Sequence, residues 1–396
     1  MLTPNELLHI TEGAEEIAEK LHVDIINRIV ERIMLRIGRG EDYLLTSIDK
    51  WNIETLQQAG FLIEDIQKEI SKATKIQQKE IAEAMEDAGV KTLEYDDKIY
   101  REVGLSPLPL YQSPSLTRIA QRNYEATLGE WKNFTRTIAS ETQKLFISEC
   151  DKAYHLVSMG ALGYTQAVKE AVENIVKNGV IVTYDSGRKD TIETATLRAV
   201  RTGISQMSAQ VQLKRMEEYK VDKIIISSHL GARPSHQLWQ GKVFTVKEMH
   251  STETGMPAYG TVTGLCGANC RHSFSPYFEG VENMFEQYDS EENKKLYEKE
   301  QRQRTLERRI RNTKREVMGL KQAVESCKDE KQKFELDLLY QKKAYLLSQQ
   351  SKDYNEYCNQ NNLRPLAERI SVARWDRQQA SSARGASKRY ENAKDK

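Results

Sequence analysis

Proline is scarce in this chain, with eight residues in 396. Proline removes a backbone donor and clashes with the preceding helical turn, so its rarity leaves long uninterrupted helices open over most of the sequence. Five cysteines at irregular spacing are too few and too scattered for a disulfide framework, and a reducing cytoplasm is the expected compartment of synthesis. A net charge of +1 excludes a global attraction to nucleic acid or to a membrane surface and leaves only local patches. No run of about 18 apolar residues occurs. Residues 1–24 also lack the basic segment and continuous apolar core of a signal peptide. The expectation is a protein with no membrane partner that stays in the cell that makes it. Hydrophobic residues make up only 39% and charged ones 30%, which suits extended helices with modest cores better than one large globule.

What the chain does concentrate is chemistry near its middle. Residues 227–280 hold four of the seven histidines and two of the five cysteines among closely spaced glycines. Ile224, Ile225 and Ile226 predict a short buried strand, because β-branched residues pack well on a pleated surface. Pro234 suits the first turn of a short helix over 235–240, and Gly241 its end. Residues 242–246 alternate as a second strand, and the glycines from Gly255 to Gly267 predict a loop held by contacts. Cys266, Cys270 and His272 form C-x3-C-x-H, a spacing that lets neighbouring ligands converge on one tetrahedral ion, with His236, His229 or His250 as the fourth. His236, Cys266, Cys270 and His272 are therefore the candidate metal ligands, and a structural zinc the candidate cofactor. The alternative from the same residues is a metal-free loop in which the thiols fill space and the imidazoles hydrogen-bond to carbonyls. Arg233, between two histidines, reads as a clamp on loop carbonyls.

The phrases SSHLGARPSHQLWQGKVF (227–244) and GLCGANCRHSF (264–274), preceded upstream by Asp185, Ser186, Gly187 and Arg188, resemble the phage minor capsid protein 2 family. More distantly, the span from His236 to His272 resembles the MuF-type head-morphogenesis domain, which closes on Asn-Cys-Arg-Cys. Here the closing run is Asn269, Cys270, Arg271 and His272, which keeps a metal-ligating residue type and removes any disulfide at the last position. The specific part of the likeness runs from about residue 160 to residue 280. The resemblance implies a minor structural protein of a tailed-phage head, located in the virion and in the host cytoplasm during assembly. Its implied partners are the portal or other capsid proteins, with packaged DNA as a further one.

Around the central stretch the expected fold is mainly α: a helical N-terminal region (1–104), a helical region with a short strand (115–220), a small central α+β domain (221–280), C-terminal charged helices (281–379) and a disordered tail (380–396). Isoleucines and leucines at three- and four-residue steps predict a helix over 12–39, and further helices over 51–59 and 63–87 separated by Gly60. Pro107, Pro109 and Pro114 mark a joint. Helices follow over 115–157 and 164–177, the latter closed by Gly179, then a strand over 180–184 with a turn over 185–188. Asp190 with Glu193 predicts a capping box for a helix to about 219. Its Arg198, Arg201, Lys214 and Arg215 read as an ion-paired face before a phosphate-binding one. Beyond residue 290 a heptad seam can be laid through Ile310, Val317, Val324 and Leu338 and through Leu306, Leu320, Cys327 and Phe334, interrupted at Thr313, Lys331 and Gln341. This predicts a long helical hairpin or a coiled coil.

Three functions compete on these residues. The first is a head protein that acts by binding, and it is the one we expect, with no enzymatic activity. The second is a zinc-stabilised nucleic-acid-binding module. The third is a hydrolase with Cys266 or Cys270 as nucleophile and His236 or His272 as base.

Overall fold

The computed structural model describes residues 1–184 and 186–394, so Asp185 of the expected turn lies outside the described residues. The protein is mainly α. In chain order the helices are α1 (Glu6–His9), α2 (Glu12–Ile37), α3 (Glu41–Leu44), α4 (Ile48–Glu102), α5 (Pro114–Ser158) and α6 (Tyr164–Asn178). The strands β1 (Ile181–Thr183) and β2 (Lys189–Thr191) lead into α7 (Ile192–Glu218), β3 (Lys223–Ile226), α8 (Pro234–Gln237), β4 (Val243–Thr245), α9 (Val246–Met249) and β5 (Phe274–Pro276). The chain closes with α10 (Ser290–Ser326), α11 (Glu330–Gln360) and α12 (Arg377–Lys394). Strands β1 and β2 form an antiparallel pair, and a separate antiparallel sheet has the order β4-β3-β5.

Two compact units divide the chain, and neither is continuous in sequence. One comprises residues 1–17, 74–133 and 193–301; the other comprises 18–73, 134–192 and 302–396. The unit limits fall within α2, α4, α5, α7 and α10. The succession of segments expected from sequence therefore differs from the grouping in space.

In the first unit α7 is the organising helix. Val200, Ile204, Met207 and Val211 recur at helical spacing on one face and pack with Ile81, Met85 and Ala88 of α4, Leu116 of α5 and Leu7 of α1. Gly203 on α7 lets α5 come close, since a Cβ there would stand 2.1 Å from Thr127 Oγ1. A different part of α7, through Ala209 and Met216, joins a second cluster with Ile224, Ile226, Trp239, Met249, Leu265, Cys266, Cys270 and Phe274. Each large side chain buried this way contributes about 1.5–3 kcal/mol. Polar ties fix the same joint. Gln212 donates to Asp96 Oδ2 on α4 at 2.8 Å and to the Phe274 carbonyl of β5 at 2.5 Å. The basic residues expected on an ion-paired face are engaged within the unit: Arg215 with Asp97 at 3.0 Å, Lys214 with Glu217 at 2.8 Å, and Arg201 with the Leu7 carbonyl at 3.2 Å.

The second unit is held by helix packing with a few buried polar anchors. The Arg36 guanidinium lies 3.5 Å from the centre of the Trp51 ring and donates to Thr55 Oγ1 at 3.0 Å, and Trp51 stacks on Tyr154 at 4.6 Å. Helices α10 and α11 form an antiparallel hairpin. Gln303 reaches Cys358 Sγ at 3.5 Å, Tyr354 donates to Glu307 at 3.3 Å, and Lys343 pairs with Glu316 at 2.7 Å and with Glu173 of α6 at 3.2 Å. The seam drawn from sequence holds through Leu306, Ile310, Val317 and Leu320, all buried. It does not continue, because Cys327 sits in the connection between the helices and Phe334 is 62% exposed.

Four further expectations are revised. Helix α4 runs through Gly60 without a break. Gly179 follows α6 with φ −68°, so it serves close packing instead of a left-handed cap: a Cβ there would lie 2.7 Å from Ile26 Cδ1. Asp190 is a strand residue opposite Val182, short of the position that would cap α7. Residues 380–394 of the tail expected from composition to be disordered belong to α12, and Ala383, Ala386 and Ser387 are buried. Small residues allow close helix approach, which polar composition alone conceals.

Candidate functional site

The sheet positions the site. Strand β3 pairs with β4 (Ile224 opposite Phe244) and with β5 (Ile226 opposite Phe274). Strand β5 was not expected from sequence, and it fixes the residues before it: Ser227 N–H donates to the Ser273 carbonyl at 2.9 Å, and Ser273 N–H to Ser227 Oγ at 3.0 Å. The chain leaves β3 through the 227–233 segment into α8, whose first residue is Pro234, and Gly241 ends the following turn at φ +66° as expected. A capping box between Thr245 and Glu248 then starts α9. From Pro257 to Cys270 the loop is wound by its own backbone bonds, Leu265 N–H to Pro257 O at 2.8 Å and Ala268 N–H to Val262 O at 2.8 Å among them. Gly264 permits that winding, since a Cβ there would stand 2.0 Å from the Ala258 carbonyl oxygen.

Two clamps hold the loops in place. Arg233 donates to the Ala268 carbonyl at 3.2 Å, the role read for it from sequence. Asn293 on α10 accepts from Ala232 N–H and donates to Ala232 O, both at 2.9 Å.

Three of the four candidate ligands come together. His236 from α8 and Cys270 and His272 from the segment before β5 place their ligand atoms within 4.8 Å of one another, and all three are buried. The Nδ1 atoms of the two histidines are 3.3 Å apart, and Cys270 Sγ lies 3.9 Å from His236 Nδ1 and 3.7 Å from His272 Nδ1. Cys266 is outside this group. Its backbone is turned into the left-handed region at φ +58°, and its Sγ approaches the His272 carbonyl oxygen at 3.9 Å. His229 stacks on His272 with ring centres 4.5 Å apart and directs its Nδ1 to the Leu230 carbonyl at 3.1 Å. His250 is occupied with the Val246 carbonyl at 2.8 Å.

The outer faces of the two rings decide their tautomers. His236 Nε2 lies 2.8 Å from the Thr263 carbonyl oxygen, which can only accept, so Nε2 carries the proton. His272 Nε2 lies 3.0 Å from Gln240 Oε1. That oxygen also accepts from His229 N–H at 3.1 Å, which fixes the amide orientation and again places the proton on Nε2. Both Nδ1 atoms are therefore bare and face Cys270. Gln240 was not singled out from sequence; the signal for it is its position one turn beyond His236. Trp239 was missed as well, and it packs its ring 4.5 Å from His236 and 4.8 Å from His272.

Burial sets the charge state. It pushes the His236 pKa down to about 4, and it holds His272 well below its ordinary value with His229, His236, Arg271 and Arg233 adding to the effect. Burial pushes the Cys270 thiol up, and Cys266 further up with Cys270 beside it. An activated nucleophile needs the opposite, a thiol whose pKa is lowered by its surroundings and which a substrate can reach.

A sequence model of the family described as Phage minor capsid protein 2 matches residues 2–348. A protein described as "Structural protein" from Lactococcus phage LL-H is 24% identical over 286 residues, covering 67% of this chain and 76% of that protein. No solved structure matches the chain.

Proposed function

The chain belongs to the phage minor capsid protein 2 family, and from that premise we propose that it acts by attachment during head assembly, binding the portal or a neighbouring shell protein. It is a phage structural protein made in the host cytoplasm and carried into the virion, and its task is to be held in place. The observation that carries this reading is the family match from residue 2 to residue 348, which takes in both compact units. The central cluster supports binding over turnover, because its thiols are buried and pushed up in pKa. Protein partners are favoured over DNA by the basic side chains of α7, since Arg201, Lys214 and Arg215 are engaged with groups of the chain itself. Among the described residues no helix is long and apolar enough to cross a membrane.

The test is the composition of finished particles. Density-purified heads, washed at high salt, are expected to contain the protein at a constant ratio to the portal, and chemical cross-linking is expected to join it to portal or shell subunits. A protein that is absent from washed heads while remaining in the assembly lysate would overturn the proposal.

A further inference from the structure

We propose that His236, Cys270 and His272 hold one zinc ion, or an ion of similar size and softness, through the two Nδ1 atoms and Sγ. The first support is metric. Zinc bonds of about 2.05 Å to nitrogen and 2.3 Å to sulfur at tetrahedral angles place two nitrogens about 3.3 Å apart and a nitrogen and sulfur about 3.6 Å apart. The side chains stand at 3.3 Å for the nitrogen pair and at 3.7 and 3.9 Å for the two nitrogen–sulfur pairs.

The second support is the hydrogen-bond inventory. Both Nδ1 atoms carry lone pairs directed at one another across 3.3 Å, because both ring protons are spent outward on Thr263 O and Gln240 Oε1. The Cys270 thiol has one proton and can satisfy one of them. Its sulfur is also an acceptor for the His272 N–H at 3.4 Å. Three electron-pair donors thus meet in a buried space with at most one proton among them, and a cation resolves the deficit. On binding, the Cys270 S–H bond breaks, its proton passes to solvent, and the sulfur lone pair forms the metal bond.

The third support is the outer shell. An imidazole that ligates through one nitrogen ordinarily donates its other N–H to a carbonyl or amide oxygen, which fixes ring orientation, and both rings do so here. Three protein ligands make the set, a solvent molecule would complete the tetrahedron, and Cys266 stays outside it.

The experiment uses the full chain purified without chelator. Elemental analysis is expected to find about one zinc per chain. Replacement by cobalt is expected to give a thiolate-to-cobalt charge-transfer band together with the intense visible bands of a tetrahedral ion. Cys270→Ser removes the charge-transfer band and Cys266→Ser keeps it. Gln240→Ala, which frees the His272 ring, weakens cobalt affinity by about 10- to 100-fold. A folded chain that is free of metal and gives no cobalt spectrum on titration overturns the proposal. So does a charge-transfer band that survives Cys270→Ser and is lost in Cys266→Ser. Should Cys270→Ser fail to fold, the cobalt spectrum of the unaltered chain alone decides.

Discussion

Asp96 shows how burial, at the scale of one residue, turns into a dependence on pH. It is 1% exposed on α4, takes the Gln212 amide at 2.8 Å and stands 3.3 Å from the Met1 nitrogen. Burial outweighs both neighbours and pushes its carboxyl up from 3.8 to about 6. In the unfolded chain the proton leaves near 3.8, whereas the folded chain keeps it to about 6. The stability this residue contributes is thus complete below about 3.8 and lost as pH rises through about 6. Asp96→Asn keeps an acceptor for Gln212 and removes the titration. The stability difference between the parent and this variant, measured by urea unfolding from pH 3.5 to pH 7.5, is expected to shift against the parent as pH rises; two parallel profiles would sink the idea. Residue type and spacing made His236, Cys270 and His272 legible in the sequence. The side-chain roles were not, because whether Cys266 points toward the others depends on a left-handed φ, and which nitrogen of each ring is bare depends on partners 27 and 32 residues away along the chain.

Helices were read well where apolar spacing was regular and less well where one residue was taken as a stop. Gly60 was such a case. A glycine ends a helix when the chain needs a positive φ just beyond it, and α4 passes through Gly60 in helical conformation for 55 residues in all. Nothing lies within 4 Å of where its Cβ would be, so Gly60 serves no packing contact. Gly60→Ala is therefore expected to stabilise the protein by about 0.5–1 kcal/mol, through the lower conformational entropy of the unfolded chain. Equilibrium denaturation checks this, and a loss of stability would mean that the helix is interrupted there. The end of α10 failed for a related reason. Heptads continue in the sequence past residue 326, yet the chain turns back at 327–329, and Asp329 caps α11 by accepting from Gln332 N–H at 2.7 Å. The short β5 was invisible because Pro276 lies within it and only three residues make it up, so periodicity had nothing to register. It is found only as the partner of β3.

For the whole molecule, the interleaving of the two units has a consequence for truncation. The second unit takes its third segment from residues 302–396, in which Ile310, Val317, Leu320, Leu336 and Tyr354 are buried. Gly319 there approaches α6 closely enough that a Cβ would stand 2.4 Å from Val176. A chain ended at Gln301 leaves the apolar faces of α2 and α6 in that unit without these partners. It is expected to aggregate or to bind a hydrophobic dye strongly, and solubility with dye fluorescence measures this. A soluble monomer with full helical content per residue would instead favour a chain of consecutive, independent segments. The sequence by itself determined that the protein is mainly α, where most helices lie, which short motif carries the histidines and cysteines, and the family resemblance, because periodicity and spacing are local properties. Only the tertiary structure decided which distant segments share a core, that Cys266 stands apart from the other three, and that Gln240 and Thr263 turn the two imidazoles inward. Those outcomes rest on contacts through space, and one dihedral angle or one strand pairing far along the chain is enough to change them.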